Sequence, residues 1–287
     1  MTSRNTIRRV GGNRAKRAGT TDIREVQSVV RALGLLAEVA DRGEAGVTEL
    51  ARSAELHVAT VHNLLRTLAG QGYLVNVGGR YRVGPAVERL APRWSPMATL
   101  PLVVGPAMEA MSARTGESGS LGLLAGSACR MIRVSQGTDE IVAQPRERVF
   151  DHPLAVATGR VLVALGDQDV REQVIGHHVA AHHDLAVAAW QRELQQVAAE
   201  GCTVLRRRRP GSVDAVAVGL YGTGGRLLGA LGAHCPSFRG TEKHLCETVM
   251  ALQEAATAAA EVLGSKGPKI PAARRRAAVR RQYRAAL

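Results

Sequence analysis

The sequence predicts a two-domain α/β chain, of the α+β kind. Three short helices and a β-hairpin come first, and a larger domain of strands interleaved with helices follows. Three observations carry this. The chain has 287 residues, room for two domains of ordinary size. Its hydrophobic period changes from helical to alternating near residue 73. Its charge is unevenly placed: residues 1–19 carry six Arg/Lys and residues 266–287 carry eight, with no acid in either segment. The net charge of +13 therefore lies wholly in the tails and leaves −1 for residues 20–265.

Composition excludes several classes. Apolar residues make up 45%, enough for a packed core, but aromatics only 3%. The core must be aliphatic, and stacking platforms for single-stranded nucleic acid are not expected. No apolar run reaches the ~18–20 residues of a membrane span. The basic N-terminus is not followed by the apolar stretch of a secretory signal. Cys129, Cys202, Cys235 and Cys246 form no CxxC, so neither a disulfide scaffold nor a zinc ribbon is expected. A reducing, cytoplasmic compartment and no membrane partner follow.

The elements are justified in order. Residues 1–21 are expected to be a disordered basic arm. A helix can start at Asp22, with Glu25 three residues on, and carries the apolar stripe Val26, Val29, Val30, Leu33, Leu35 and Leu36. Asp41-Arg42-Gly43 stops it. Thr48 can cap a short helix over 49–53. A third helix, 57–71, places Val58, Val61, Leu64, Leu65 and Leu68 on one face, and Gly72 ends it. Residues 73–77 and 80–83 are strand-like around Gly78-Gly79, a hairpin whose turn needs positive φ. Helix, helix, helix, hairpin over 22–86 is a winged helix-turn-helix. A linker over 87–100 follows.

Charge orients this domain. Residues 22–56 carry four Arg and seven acids, whereas residues 57–93 carry five Arg and one Glu. The basic half suits a phosphate backbone. Off the apolar stripe of the third helix lie Ala59, Thr60, His62, Asn63, Arg66 and Thr67, side chains able to meet base edges or phosphates. Arg80 and Arg82 are expected to reach phosphate from the hairpin. Double-stranded operator DNA is the expected partner.

The segment 26–85, with VTELARSAEL, HVATVHNLLRTLAGQGYLV and RYRVGP, resembles the N-terminal domain of the IclR family of bacterial transcription regulators. TGESGSLGLL (115–124), HPLAVATGRVLVAL (152–165) and GGRLLGALG (224–232) resemble segments of that family's effector domain, in the same order. The resemblance implies a GAF-like domain that binds a small metabolite and mediates dimer or tetramer contacts. The sequence also departs from the family pattern. His57 stands where proline often precedes the recognition helix. Pro92, Pro96 and Pro101 predict a short linker helix. Ala215 occupies the place of a frequent cysteine, and Arg206 to Arg209 replace acids.

Without the family, residues 101–264 still read as α/β. Strands are expected at 118–124, 131–134, 202–205, 215–221 and 226–234, and helices at 154–165, 185–200 and 242–263, in a mixed sheet. Residues 265–287 are expected to be a disordered basic tail suited to polyanions. The segment 155–159 is small and opens a helix. Its amides can hold an anion, and its small residues equally permit close packing; the family order favours the ligand. The expected effector pocket lies between Ala157, Thr158 and Gly159 and the strand bearing Asp214, Ala215 and Val216. Ala215 leaves apolar volume there, which favours an organic acid with an apolar portion. His177, His178, His182 and His183 form HH-x3-HH, but only Asp184 adds an acid at ligand spacing, so no metal is expected. Gly222, Gly224 and Gly225 precede a strand and read as a tight turn. No catalytic constellation is present, so neither enzyme activity nor a cofactor is expected.

The function expected is an effector-modulated DNA-binding regulator, a homodimer or homotetramer. The alternative keeps DNA binding but makes the C-terminal domain an oligomerisation or protein-partner module.

Overall fold

The computed structural model describes residues 25–90, 95–145, 147–181, 187–206, 211–265, 267–268 and 270–285. Two compact units divide after Arg93. The first contains α1 (Gln27–Arg42), β1 (Ala45–Gly46), α2 (Val47–Ser53), α3 (Val58–Gly70), β2 (Leu74–Val77) and β3 (Arg80–Val83). Its core is aliphatic: Leu35, Val39, Leu50, Val61, Leu65 and Leu74 close around Tyr81. α1 ends at Gly43, φ 76°, as the sequence predicts, whereas a start at Asp22 lies outside the described residues. α1 buries only Leu35 and Val39 fully, and Val26, Val29, Val30 and Leu33 stay exposed.

Two local expectations are corrected. Thr48 does not cap α2; Gly46 precedes the helix, and its N–H donates to Glu49 Oε2 at 3.1 Å. β1 was not expected. It pairs Gly46 with Arg80 on β3, and two residues are too few for a period to reveal. The hairpin turn is as predicted. Gly78 and Gly79 have φ of 60° and 84° between paired Val77 and Arg80, the geometry of a two-residue primed turn.

The second unit runs α4 (Pro96–Thr115), β4 (Ser118–Ala125), β5 (Ala128–Ser135), β6 (Val149–Phe150), a 3-10 turn (Pro153–Ala155), α5 (Ala157–Leu165), α6 (Gln168–Ala181), α7 (Val187–Glu200), β7 (Cys202–Leu205), β8 (Val213–Tyr221), β9 (Leu227–Pro236), α8 (Glu242–Val262) and α9 (Ala272–Ala285). The sheet order is β6-β5-β4-β9-β8-β7. Every described pairing is antiparallel rather than mixed. One face packs under α4, α8 and α9 through Val216, Val218, Leu220, Leu231 and Ala233. The other packs under α5 and α7 through Ala215, Ala217 and Ala230.

α4 is 20 residues long despite its prolines, so the expected short helix is corrected. Pro96 sits at the helix start, where a missing N–H costs nothing. Pro101 and Pro106 each forfeit a hydrogen bond, but Leu100, Val104, Met108 and Met111 bury one side completely or nearly so. A fully buried side chain of this size contributes about 1.5–3 kcal/mol, which offsets the loss. The last five residues of the expected linker thus belong to α4; Pro92 lies outside the described residues.

The expected disordered tail is also corrected, because α9 is an ordered helix. Ala278 and Val279 are fully buried. Its arginines meet acids from distant parts of the chain: Arg281 pairs with Glu200, and Arg280 and Arg284 with Glu242 at 3.2 and 3.8 Å. Part of the charge that looks uncompensated along the sequence is therefore paired in space. No helix among the described residues is long and apolar enough to cross a membrane.

Candidate functional site

On the first unit, α3 presents one surface row. Val61, Leu65 and Leu68 point into the core. Ala59, His62, Asn63, Arg66 and Thr67 are exposed and Thr60 is half-buried. Positions 59, 62, 63 and 66 recur at the three- and four-residue steps of one helix face. The Thr67 hydroxyl donates to Asn63 O at 2.9 Å and keeps its lone pairs for another donor.

The hairpin arginines are placed differently from the expectation that they stand free for phosphate. Arg80 and Arg82 are both paired with Glu44, and Arg80 also with Glu49. All three guanidinium nitrogens of Arg80, and Nε and Nη2 of Arg82, already donate to carboxylates within the unit.

On the second unit the six expected pocket residues separate into two groups. Strand side chains alternate. Ala215 faces α5, while Asp214 and Val216 face α8 and α9. Asp214 is fully buried, accepts from Arg206 Nε at 3.2 Å, and lies so near Gly240 that a Cβ there would come within 2.2 Å of its Oδ2. Arg206 stacks over Tyr283 of α9, 3.9 Å from the ring centroid. Asp214 and Arg206 therefore anchor α9, and Asp214 and Val216 are corrected as pocket residues. Arg207 to Arg209 lie outside the described residues.

Ala157, Thr158 and Gly159 do open α5 and lie over the sheet beside Ala215 and Ala217. Gly159 serves close packing: a Cβ there would come 2.0 Å from the Pro153 carbonyl oxygen. Thr158 covers the sheet's glycines. A Cβ on Gly232 would meet Thr158 Cγ2 at 2.7 Å and Ser120 Oγ at 3.1 Å. The Thr158 hydroxyl lies 3.8 Å from Cys129 Sγ and 3.7 Å from Met131 Sδ.

Sequence reasoning missed two residues of this face. His234 is paired in register with Ala215 and with Ser118, and its Nε2 lies 3.0 Å from Ser120 Oγ. Burial pushes its imidazole down to about 4, against a smaller upward pull from the Glu117 charge; the residue as a whole is half-buried. His234 was legible as the last residue of an expected strand; the missing signal was the register that sets it beside Ala215. Ser120, Gly232, Ala215, Ala217 and His234 together make a sheet face of small side chains with one imidazole. A separate cavity of about 630 Å³, lined by Leu162, Leu165, Leu227 and Arg226, lies at the far end of α5 and includes none of these residues.

The opposite face holds a buried ion network. Glu117 is fully buried and accepts from Arg239 at 3.1 and 3.0 Å and from His244 Nε2 at 2.8 Å. Burial works to raise its carboxyl, but His244 and Arg239 hold it below the usual range. Glu117, Cys235 and His244 have donor atoms close enough for a metal ion. The Arg239 guanidinium already holds both oxygens of Glu117 in a bidentate fork, and a second cation there would be repelled. Of the histidine cluster, His177 lies on α6, its ring 6.0 Å from that of His152; His182 and His183 lie outside the described residues.

Residues 28–78 match the IclR helix-turn-helix domain, and residues 98–261 match the bacterial transcriptional regulator IclR C-terminal domain. No curated protein is significantly similar to the chain. Among solved structures, an ICLR transcriptional regulator from Silicibacter sp. TM1040 is 25% identical over 84% of this chain and 97% of its own, with a TM-score of 0.63. HmgR of Pseudomonas aeruginosa is 17% identical over 85% and 100%, TM-score 0.55. An IclR homolog from Microbacterium hydrocarbonoxydans, complexed with 4-hydroxybenzoate, is 22% identical over 83% and 98%, TM-score 0.50. The last two share the fold.

Proposed function

For this chain, which belongs to the IclR family of bacterial transcriptional regulators, we propose that α3 recognises a near-palindromic operator and that a small organic acid, bound beside His234, modulates that binding. The observation that supports DNA reading is the exposed polar row His62, Asn63, Arg66 and Thr67, flanked by exposed Ala59 and half-buried Thr60 and backed by a fully aliphatic row beneath. Asn and Arg are the side chains that pair bidentately with adenine and guanine edges.

The exposed apolar row of α1 and its preceding residue Val26 supports a homodimer. Val26, Val29, Val30 and Leu33 are 46–63% exposed, and a second copy meeting them across a two-fold axis would cover them. Paired α3 helices then demand half-sites one helical turn apart or a multiple of it. The chain acts in the cytoplasm in this reading.

For the effector, the supporting feature is a face of small side chains around one deeply set imidazole. Ser120 and His234 offer a hydroxyl and a ring nitrogen, Ala157 to Gly159 begin a helix above them, and Ala215 offers a methyl. That combination suits a ligand with a polar end and an apolar body. The Microbacterium hydrocarbonoxydans protein carries such a ligand, 4-hydroxybenzoate.

Calorimetry with a panel of aromatic and aliphatic acids tests the reading, on the wild-type chain and on Ala215→Trp. A hit lost with the bulky tryptophan supports the pocket. A hit whose affinity survives it puts the pocket elsewhere.

A further inference from the structure

Glu44 stands between the two arginines of the hairpin. Its Oε1 accepts from Arg80 Nε at 2.8 Å; its Oε2 accepts from Arg82 Nε at 2.8 Å and Nη2 at 2.5 Å. Glu49 takes the other edge of Arg80, at 3.2 and 3.3 Å. The pairing of β1 with β3 brings Glu44 there, since Ala45 and Gly46 lie opposite Tyr81 and Arg80. Two guanidinium groups and two carboxylates sum to zero charge.

The arginines also share a hairpin face with Val77 and Val75, their partners across the turn, which are 61% and 37% exposed. That face shows methyl groups and a neutralised network. Both carboxylates are held below the usual range, Glu44 chiefly by the Arg82 hydrogen bond and Glu49 by the Gly46 N–H and then by Arg80. They stay charged, and paired, through the neutral range.

We propose that Glu44, with Glu49, is a positioning residue that holds Arg80 and Arg82 off the DNA backbone, a charge brake that limits sequence-independent binding and leaves recognition to α3. The proposal rests on the DNA-binding reading above. Exposed ion pairs of this kind are individually weak. A phosphate that displaced Glu44 would nevertheless leave two carboxylates uncompensated beside the duplex. Non-specific affinity follows the number of phosphates neutralised, and a network of zero net charge neutralises none.

The test is the salt dependence of the full chain's affinity for a mixed-sequence duplex. Glu44→Gln frees Arg82, so the slope of log affinity against log salt should steepen by about 0.9, the value of one phosphate contact. Affinity then falls about three- to fourfold further across a fourfold rise in salt. Glu44→Gln with Glu49→Gln should steepen it by about 1.8; glutamine at 49 keeps an oxygen for the Gly46 N–H, so the start of α2 is preserved. Adding Arg82→Gln to the first variant, or Arg80→Gln and Arg82→Gln to the second, should restore the wild-type slope. A merely structural role for Glu44 would lower the unfolding midpoint without changing the slope and would not be rescued in this way. Duplex binding with equal slopes in wild type and both acid variants overturns the brake alone. So does an Arg82→Gln single variant that loses a full phosphate contact. Absence of duplex binding in every variant overturns the brake and the DNA reading together.

Discussion

His234 shows what a single position contributes. Its folded value of about 4 lies below the ordinary 6.5, so the imidazole is neutral in the folded chain and takes up a proton more readily when unfolded. Stability from this group is complete above about pH 6.5 and declines as pH falls toward about 4, by up to about 3 kcal/mol. Glu117, the acid whose charge reaches it, is held below its own usual value by His244 and Arg239. Thermal unfolding measured from neutral pH down to about pH 5 should show a falling midpoint in the wild type and a flatter curve in His234→Gln. Parallel curves would mean that His234 is not the group responsible. At this scale the sequence was legible where one helix period decides the outcome: Asn63 and Arg66 are exposed as read. It was not legible where the partner is remote. Arg80 and Arg82 read as phosphate ligands because Glu49 and Glu44 lie 31 to 38 residues away. Asp214, Ala215 and Val216 are adjacent in sequence, but neighbouring strand residues face opposite ways, so only Ala215 faces α5.

Among the elements, α1, α3 and the β2–β3 hairpin were legible, since Leu and Val recur at a clear period and Gly43, Gly72 and Gly78-Gly79 mark their ends. α9 was not, because the apolar side chains it packs on the core are only Ala278, Val279 and Tyr283, set among alanines and six arginines, and because its purpose is tertiary. β7 is an edge strand. Gln282 covers that edge as a peptide group would: its Oε1 accepts from Val204 N–H at 2.6 Å, while its amide nitrogen donates to Glu200 at 2.6 Å and to Cys202 O at 3.4 Å. Unpaired edges invite further strands. Gln282→Ala leaves a buried N–H and a buried carboxylate short of partners, and should cost about 1–3 kcal/mol in denaturant unfolding. Arg274→Ala on the outer side of α9 should be near neutral. Equal stability in the two variants would mean that α9 does not close the edge.

For the whole molecule, two units were legible from the change of period and the placement of charge, and the family match covers most of both. The boundary was less so, because prolines that read as a break instead open, or lie within, a helix that packs well enough to carry them. In the proposed function the units are joined by DNA reading in one and ligand sensing in the other, and the first is the premise of the second. Selection of binding sites from a random duplex pool tests that premise most directly, with the wild-type chain and with the double variant Asn63→Ala, Arg66→Ala. The wild type should enrich a near-palindromic site with half-site centres one helical turn, about 10 bp, or a multiple apart. The double variant should lose that preference while its unfolding midpoint is unchanged. Enrichment of the same site at the same affinity by the double variant would contradict recognition through α3.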